Sequence, residues 1–322
     1  MSLAPYVRIL GRGPGRARAL DQDEARAAMA IILSGKAERE ATGALLMLLR
    51  MKGETAAELA GFVQAARAHI TVPPLSPALD WPSYAAGRTR GLPWFLLSAK
   101  LVARAGYPVV LHGWNSHQAT QADVRRGCAA LGIHVASDPL AAGAVLSAKG
   151  IVYLPLETLS APLFALLQLR DTFGLRSCIN TVVRLLNPFD AQASVQGVFH
   201  PVYREIQADA CQLLGQQNLS VIKGGGGEFE RHPSKDIAAF GLRAGTPWQG
   251  TAAAQRTETR RLAAVAPELS DLAALWSGRR DDPFAQAVVE GTAALALDTL
   301  GLARPDHCAR DLWANRNVAN TA

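Results

Sequence analysis

Apolar side chains in the N-terminal part of the chain recur every three or four residues, which is the spacing of amphipathic helices. Asp21 is a candidate N-cap for the first helix, with Glu24 three residues later in the position of a capping box. This pattern ends at Gly35, and further helices are predicted over residues 38–51 and 55–69. Three helices joined by short turns predict a compact helical bundle.

The pattern changes after a proline-rich connection at residues 72–77. Short apolar runs that predict strands lie at residues 107–111, 151–155 and 219–222. Helical periods separate and follow them, at residues 94–105, 121–131, 161–173, 202–214, 262–276 and 283–301. Strands that alternate with helices predict an α/β domain.

Composition supports a large folded core and sets broad limits on function. The chain has 322 residues, of which 49% are hydrophobic, and its mean hydropathy is +0.08. We find no apolar run of about 18 residues and no signal-type N-terminus, so we expect a cytoplasmic protein without a membrane span. A net charge of +6 favours anionic partners. The scattered Cys128, Cys178, Cys211 and Cys308 predict reduced thiols, and no zinc motif is present.

Several separated motifs occur in the order found in one enzyme family. They are Leu20-Asp21, Gly35, Gly43-Ala44-Leu45, Leu49-Arg50, residues 52–55, residues 58–61, Gly174, Arg176, Asn180, Asn187-Pro188, Gly197-Val198, Pro201 and Leu214-Gly215. On these residues the chain resembles the anthranilate phosphoribosyltransferase family (glycosyltransferase family 3), whose architecture is shared with pyrimidine nucleoside phosphorylases. The resemblance extends to about Glu230.

The resemblance implies a fold, a domain division and an assembly. We expect a small N-terminal helical bundle domain plus a larger α/β domain with a central mixed or parallel sheet. Residues 1–72 would form the helical domain, with residues 161–188 packing back onto it, and residues 73–160 and 189–322 would form the α/β domain. A homodimer through the helical domains and a phosphate-binding cleft between the domains are also implied.

The chemistry-bearing motifs of the family are altered in this chain. The family holds phosphoribosyl pyrophosphate with a Gly-Thr-Gly-Gly-Asp-Gly loop, in which glycines let backbone N–H groups approach the ligand. The matching positions, 86–91, carry Arg88 and Arg90. The Lys-His-Gly-Asn motif becomes Leu111-His112-Gly113-Trp114, and the Asp-Glu pair that holds magnesium falls on Phe229-Glu230.

Some candidate residues of the enzyme site nevertheless remain. Ser98, His112 and Arg176 are candidate catalytic residues, because each keeps the family's residue at its position. Glu228 and Glu230 are the candidate metal ligands, with Glu228 as a substitute for the missing aspartate. A core histidine after a buried strand is the plainer interpretation of His112, because the lysine before it is lost.

The altered motifs favour a non-catalytic nucleic-acid-binding branch of the family, whose members carry Gly-Arg-Gly near the N-terminus and an arginine loop. We therefore predict sequence-independent binding of nucleic acid, preferably single-stranded DNA or RNA, without a cofactor. The candidate phosphate-binding residues are Arg8, Arg12, Arg16, Arg88, Arg90, Lys100, Arg104 and Lys223. A solvated terminus and an exposed helix face are the plainer interpretations of the first three residues and of Lys100 with Arg104.

Two other functions remain open at this stage. One is a phosphoribosyltransferase that uses phosphoribosyl pyrophosphate, Mg²⁺ and an unknown nitrogen acceptor. The other is a small-molecule phosphate sensor that binds its ligand without turnover. Both retain the ligand cleft that the resemblance implies.

Overall fold

A computed structural model describes residues 2–13, 15–84, 91–114, 122–258, 260 and 268–317. Their helices and strands, in chain order, are α1 Ala4–Gly11, α2 Gln22–Leu33, α3 Arg39–Lys52, α4 Ala56–His69, β1 Leu79–Ser83, α5 Phe95–Arg104, β2 Val109–Gly113, α6 Val124–Ala130, α7 Pro139–Lys149, β3 Ile151–Pro155, α8 Leu156–Leu159, α9 Ala161–Phe173, α10 Ile179–Val182, β4 Ala193–Val198, α11 Tyr203–Leu213, β5 Asn218–Lys223, β6 Ile237–Arg243, β7 Thr246–Ala252, α12 Ser270–Ser277, α13 Pro283–Thr299 and α14 Pro305–Ala314. The predicted order of helices in the N-terminal bundle is confirmed.

Side-chain caps begin two of the bundle helices. The Asp21 carboxylate accepts the Glu24 N–H at 2.8 Å, and the Glu24 carboxylate accepts the Asp21 N–H at 3.0 Å, so the predicted capping box is present. Thr55 and Glu58 form a second box at the start of α4. The buried Glu58 carboxylate also accepts the Leu20 N–H at 2.9 Å, which ties the start of α4 to the segment before α2. These bonds satisfy N–H groups that a helix cannot pair internally.

The described strands form one seven-stranded sheet in the order β3-β2-β1-β4-β5-β6-β7. The first five strands of that order are parallel, and β6 and β7 add an antiparallel hairpin at one edge. The prediction of a helical bundle with a larger α/β domain and a mixed sheet is therefore confirmed. Strand β1 was not predicted, because Asp80 and Pro82 interrupt its apolar pattern.

Each face of the sheet packs against its own hydrophobic core. Alternate residues of β2 point to opposite faces, so Val110 joins the core shared with the helical bundle, while Val109 and Leu111 join the other core. Helices α5, α12, α13 and α14 cover that second face. Because one core contains bundle and sheet residues together, burial holds the bundle against the sheet.

Helix α9 lies against the bundle, as the resemblance implies for residues 161–188. Gly43 of α3 faces the ring of Phe173 at the end of α9. The Arg67 guanidinium of α4 donates to the carbonyl of Leu186 at 2.6 Å and to that of Leu185 at 3.3 Å. The exact division of the chain into two domains stays a prediction. Across the described ranges, none of the helices is long and apolar enough to cross a bilayer.

Candidate active site

A crevice opens in the sheet where the strand order reverses direction. Strand β1 pairs with β2 over residues 79–83 on one side, but with β4 only through Leu79 and Asp80 on the other. The carboxyl ends of β1 and β4 therefore separate. In open parallel sheets, ligands bind outside the carboxyl ends of the strands at such a switch point.

A series of linked, buried polar side chains connects β4, β1 and β2 beside this crevice. The Ser194 hydroxyl donates to Asp80 Oδ2 at 2.7 Å, and Asp80 Oδ1 lies 3.1 Å from His112 Nε2. His112 Nδ1 lies 2.9 Å from the Tyr84 hydroxyl. All four residues are buried, and burial raises the pKa of Tyr84 well above its usual value. His112 is therefore held inside the fold by two side chains, which agrees with the interpretation of a core histidine.

Four arginines line a cavity of about 270 Å³ beside this crevice. We call it the arginine cavity, and its guanidinium groups belong to Arg50, Arg170, Arg176 and Arg184. Arg50 lies in the last turn of α3 and Arg170 in the last turn of α9. The opposite wall contains Val198, at the end of β4, and the segment that leads into α11. The cavity thus lies between the helical bundle and the carboxyl end of the sheet.

A glycine turn lies between two of these arginines in the chain. Gly174 ends α9 in the left-handed conformation, with φ of 67°, and the chain reverses there. Glycine suits this position because a Cβ atom disfavours positive φ. Arg170 before the turn and Arg176 after it therefore face the same cavity.

Arg184 is the most buried of the four arginines, with 5% of its surface exposed. Its guanidinium donates to the Asn180 carbonyl at 3.1 Å and to the Tyr84 carbonyl at 3.1 Å. Burial lowers the pKa of Arg184 to about 10, and neighbouring Glu228 opposes that change. The side chain remains cationic at neutral pH and links the cavity to the end of β1.

The other arginines repel one another electrostatically. Burial lowers the pKa of Arg176, and the charges of Arg170 and Arg50 lower it further. In the part of the chain that the structure describes, none of the four cavity arginines forms an ion pair with a carboxylate. An anion in the cavity would relieve this repulsion, because opposite charges favour the charged form of each group.

The two candidate metal ligands point to different surroundings. Glu230 Oε2 accepts the N–H of Phe95, the first residue of α5, at 3.1 Å. The negative charge of the buried Glu228 instead favours a higher pKa for Arg184 and for Tyr153. Among the described residues, no group of three or more His, Cys, Asp or Glu side chains could hold a metal ion. Magnesium is usually held by one or two carboxylates together with waters and substrate phosphates, so Glu228 and Glu230 stay candidate ligands.

Two predicted residues of α5 are engaged inside the protein. The Ser98 hydroxyl is buried and donates to the Val289 carbonyl of α13 at 2.9 Å. The Lys100 ammonium donates to the Leu131 carbonyl at 2.8 Å and lies 4.6 Å from the ring centre of Trp276. Burial lowers the pKa of Lys100, and Arg104 lowers it further. These side chains lie on the covered face of the sheet and do not join the arginine cavity.

The remaining predicted residues are distributed around the molecule. Arg8 is exposed on α1, Arg12 and Arg16 are exposed after it, and Lys223 is exposed at the end of β5. Arg88 and Arg90 lie outside the described residues. Of the predicted site residues that the structure describes, only Arg176 lines the cavity. Arg50 belongs to a motif of the resemblance, but Arg170 and Arg184 have no signal in the sequence that separates them from surface arginines.

Comparisons with known proteins point to one enzyme family. Residues 4–70 match the helical bundle domain of a glycosyl transferase family. The anthranilate phosphoribosyltransferase of Desulforudis audaxviator is 36% identical over 212 residues, which are 64% of this chain and 60% of that protein. The protein of the same name from Bacillus caldotenax is 32% identical over 212 residues, which are 64% of this chain and 86% of that protein.

Solved structures show the same fold. The anthranilate phosphoribosyltransferase of Thermus thermophilus superposes with a TM-score of 0.81 and 22% identity, over 98% of this chain and 95% of that one. The enzyme from Saccharomyces cerevisiae, solved in complex with PRPP and Mg, gives a TM-score of 0.77 and 16% identity, over 98% and 92%. That complex does not support the expectation that no cofactor is involved.

The prediction of a nucleic-acid-binding protein with nucleic acid as its partner is wrong. The relatives are phosphoribosyltransferases, which favours the enzyme alternative. The physical reason is that net charge does not locate the cations, and four arginines line one cavity of ligand size. With a relative that is 32% identical and matched over 86% of its length, the chain belongs to the anthranilate phosphoribosyltransferase family.

Proposed function

We propose that the protein is a phosphoribosyltransferase whose nitrogen acceptor carries negative charge and binds in the arginine cavity. The observation that carries this proposal is the position of four arginines beside the open switch point of the sheet. Guanidinium groups bind carboxylates through paired hydrogen bonds, so they fix the orientation of an acidic acceptor. The match to the first of the relatives above covers only 60% of its length, so the activity is inferred from the site and the family together.

The cavity arginines would orient the acceptor amine towards the donor. The amine lone pair attacks C1 of the phosphoribosyl group, and a C–N bond forms. The bond between C1 and the pyrophosphate oxygen breaks, and the pyrophosphate leaves with the electron pair. The new ammonium group then loses a proton to water. Holding both reactants in one crevice supports this step, because it replaces a bimolecular encounter with a bound geometry.

The donor would bind at the carboxyl end of β1. Residues 86–91 match the donor loop of the family and follow β1 in the sequence, and the carboxyl end of β1 lies on the same edge of the sheet as Val198 of the arginine cavity. In the glycine loop of the family backbone N–H groups bind the pyrophosphate, and Arg88 and Arg90 bring positive charge to the matching positions of this sequence. Magnesium would enter with the pyrophosphate as part of the substrate, and we assign no protein ligand to it.

The test is release of pyrophosphate from phosphoribosyl pyrophosphate and Mg²⁺ with a panel of aromatic amines. We expect release only when an acidic amine is present. Changing Arg176 to Gln should lower kcat/KM about 10- to 100-fold, since a hydrogen bond to a charged group contributes about 1.5–3 kcal/mol. Arg39 is exposed at the start of α3, and Arg39→Gln is the matched control. Release that needs no acceptor, or no release with any amine, would contradict the proposal.

A further inference from the structure

The charges around the arginine cavity do not balance. Burial raises the pKa of Glu54, and the charge of Arg50 opposes that rise. The Glu54 carboxylate is therefore close enough to interact electrostatically with Arg50. Glu228 interacts electrostatically with Arg184 and opposes the lowering of the Arg184 pKa by burial. Within the described residues, neither Arg170 nor Arg176 forms an ion pair with a carboxylate. Two neighbouring positive charges that line the cavity are therefore available for a ligand to neutralise.

The two unbalanced charges belong to separate side chains that the Gly174 turn places together. Arg170 precedes this turn by four positions and Arg176 follows it by two. Each planar guanidinium can hold one carboxylate through two parallel hydrogen bonds. Two guanidinium groups in one cavity therefore match two separate anionic groups better than a single one.

Two exposed apolar side chains belong to the lining of the cavity. Leu175 is 50% exposed and Phe199 is 43% exposed, and both residues line the cavity. Exposed side chains of this size, next to a charged cavity, would be covered by a flat apolar ligand body. The volume of about 270 Å³ lies below the range of about 300–1,000 Å³ for pockets that hold drug-sized molecules, so a single ring is the appropriate size.

We propose that the acceptor is an aromatic amine with two carboxylates on one ring. The carboxylates bind Arg170 and Arg176, and the ring lies between Leu175 and Phe199. Its role as acceptor rests on the proposed function, whereas its binding does not. A monocarboxylate such as anthranilate would neutralise one of the two arginines and leave the other unpaired.

The experiment is calorimetric titration of the full chain, without donor or magnesium, against 5-aminoisophthalate, anthranilate, aniline and 4-aminophenyl phosphate. We expect the dicarboxylate to bind at least about tenfold more tightly than anthranilate, and aniline to bind weakest. Changing Arg170 to Gln should weaken dicarboxylate binding at least about tenfold and change anthranilate binding less than threefold. Arg39→Gln should change neither affinity.

Three results would overturn the inference. The first is equal affinity for 5-aminoisophthalate and anthranilate, and the second is an equal effect of Arg170→Gln on the binding of these two acids. The third is tightest binding of 4-aminophenyl phosphate, because this ligand carries both negative charges on one group. Unchanged thermal unfolding of Arg170→Gln, followed by circular dichroism, shows that the variant is folded. Tight dicarboxylate binding without pyrophosphate release would refute the proposed function alone. Release with anthranilate, while the dicarboxylate fails to bind, would refute the inference alone.

Discussion

Glu230 separates two interpretations of the site, because it is either a helix cap or a metal ligand. In the structure its Oε2 accepts the N–H of Phe95 at 3.1 Å, at the positive end of α5, and the carboxylate is buried. A carboxylate at a partly buried helix N-terminus stabilises a protein by up to about 2 kcal/mol. We therefore expect the change of Glu230 to Gln, which keeps the acceptor oxygen and removes the charge, to lower the free energy of unfolding by about 1–2 kcal/mol.

Removing the side chain altogether should cost more. Glu230→Ala takes away the acceptor as well as the charge and leaves the buried Phe95 N–H without this bond. An unsatisfied buried donor costs about 1–3 kcal/mol, so we expect a total loss of about 2–4 kcal/mol. Urea unfolding followed by circular dichroism measures both variants. Glu40, exposed in the first turn of α3, supplies Glu40→Gln as a control, with a loss below about 0.5 kcal/mol.

The same variant also tests the metal assignment. If Glu230 serves as a helix cap, Glu230→Gln should leave the magnesium concentration for half-maximal pyrophosphate release within about threefold of the parent value. An unchanged unfolding midpoint, together with a tenfold higher magnesium requirement, would refute this reasoning. It would place Glu230 on the metal.

Two further predictions concern stability. A Cβ atom on Gly61 of α4 would collide with the backbone of α2 at Gln22 and Arg26, so Gly61→Ala should lower the free energy of unfolding by about 1–3 kcal/mol. Gly43→Ala is its control, because the nearest atoms belong to the Phe173 ring at 3.7 Å, and urea unfolding should show a change below about 1 kcal/mol. Burial raises the pKa of Asp282, but hydrogen bonds from Arg260 and from the Ala285 N–H outweigh it, and the net pKa is lowered. A lowered folded-state pKa stabilises the protein above the unfolded-state pKa, and that stabilisation is lost as pH falls through the folded value. Asp282→Asn should therefore destabilise by about 1–2 kcal/mol at pH 7 and by progressively less as the pH falls below 3.8, and a loss that does not change with pH in thermal unfolding would contradict this assignment.

Local features were predictable because the residues that make them are neighbours in the chain. The capping box of Asp21 and Glu24 spans three residues, and its physical cause lies within one helical turn. Strand β3 and helix α9 likewise begin and end where the apolar pattern places them. The fold class followed from the alternation of such segments and from the resemblance.

The sheet order and its open edge depend on pairing between distant segments. Strand β1 contains Asp80 and Pro82, so its pattern alone does not predict a buried central strand. The structure explains Asp80, because the carboxylate accepts from Ser194 of β4 and lies beside His112 of β2. Such a residue is stable in the core only when its partners arrive from other strands.

The sequence by itself determined the bundle, the α/β alternation, the basic charge and the family motifs. Tertiary structure decided where the cations lie. Arg50, Arg170 and Arg184 come from three separate segments and converge only when α3, α9 and the segment after α10 pack together. The Lys100 ammonium donates to the Leu131 carbonyl and contacts the Trp276 ring, so its partners lie within the protein. A formal charge is a property of the residue, but its partner and its exposure are properties of the fold, so net charge could not choose between an extended binding surface and a single cavity.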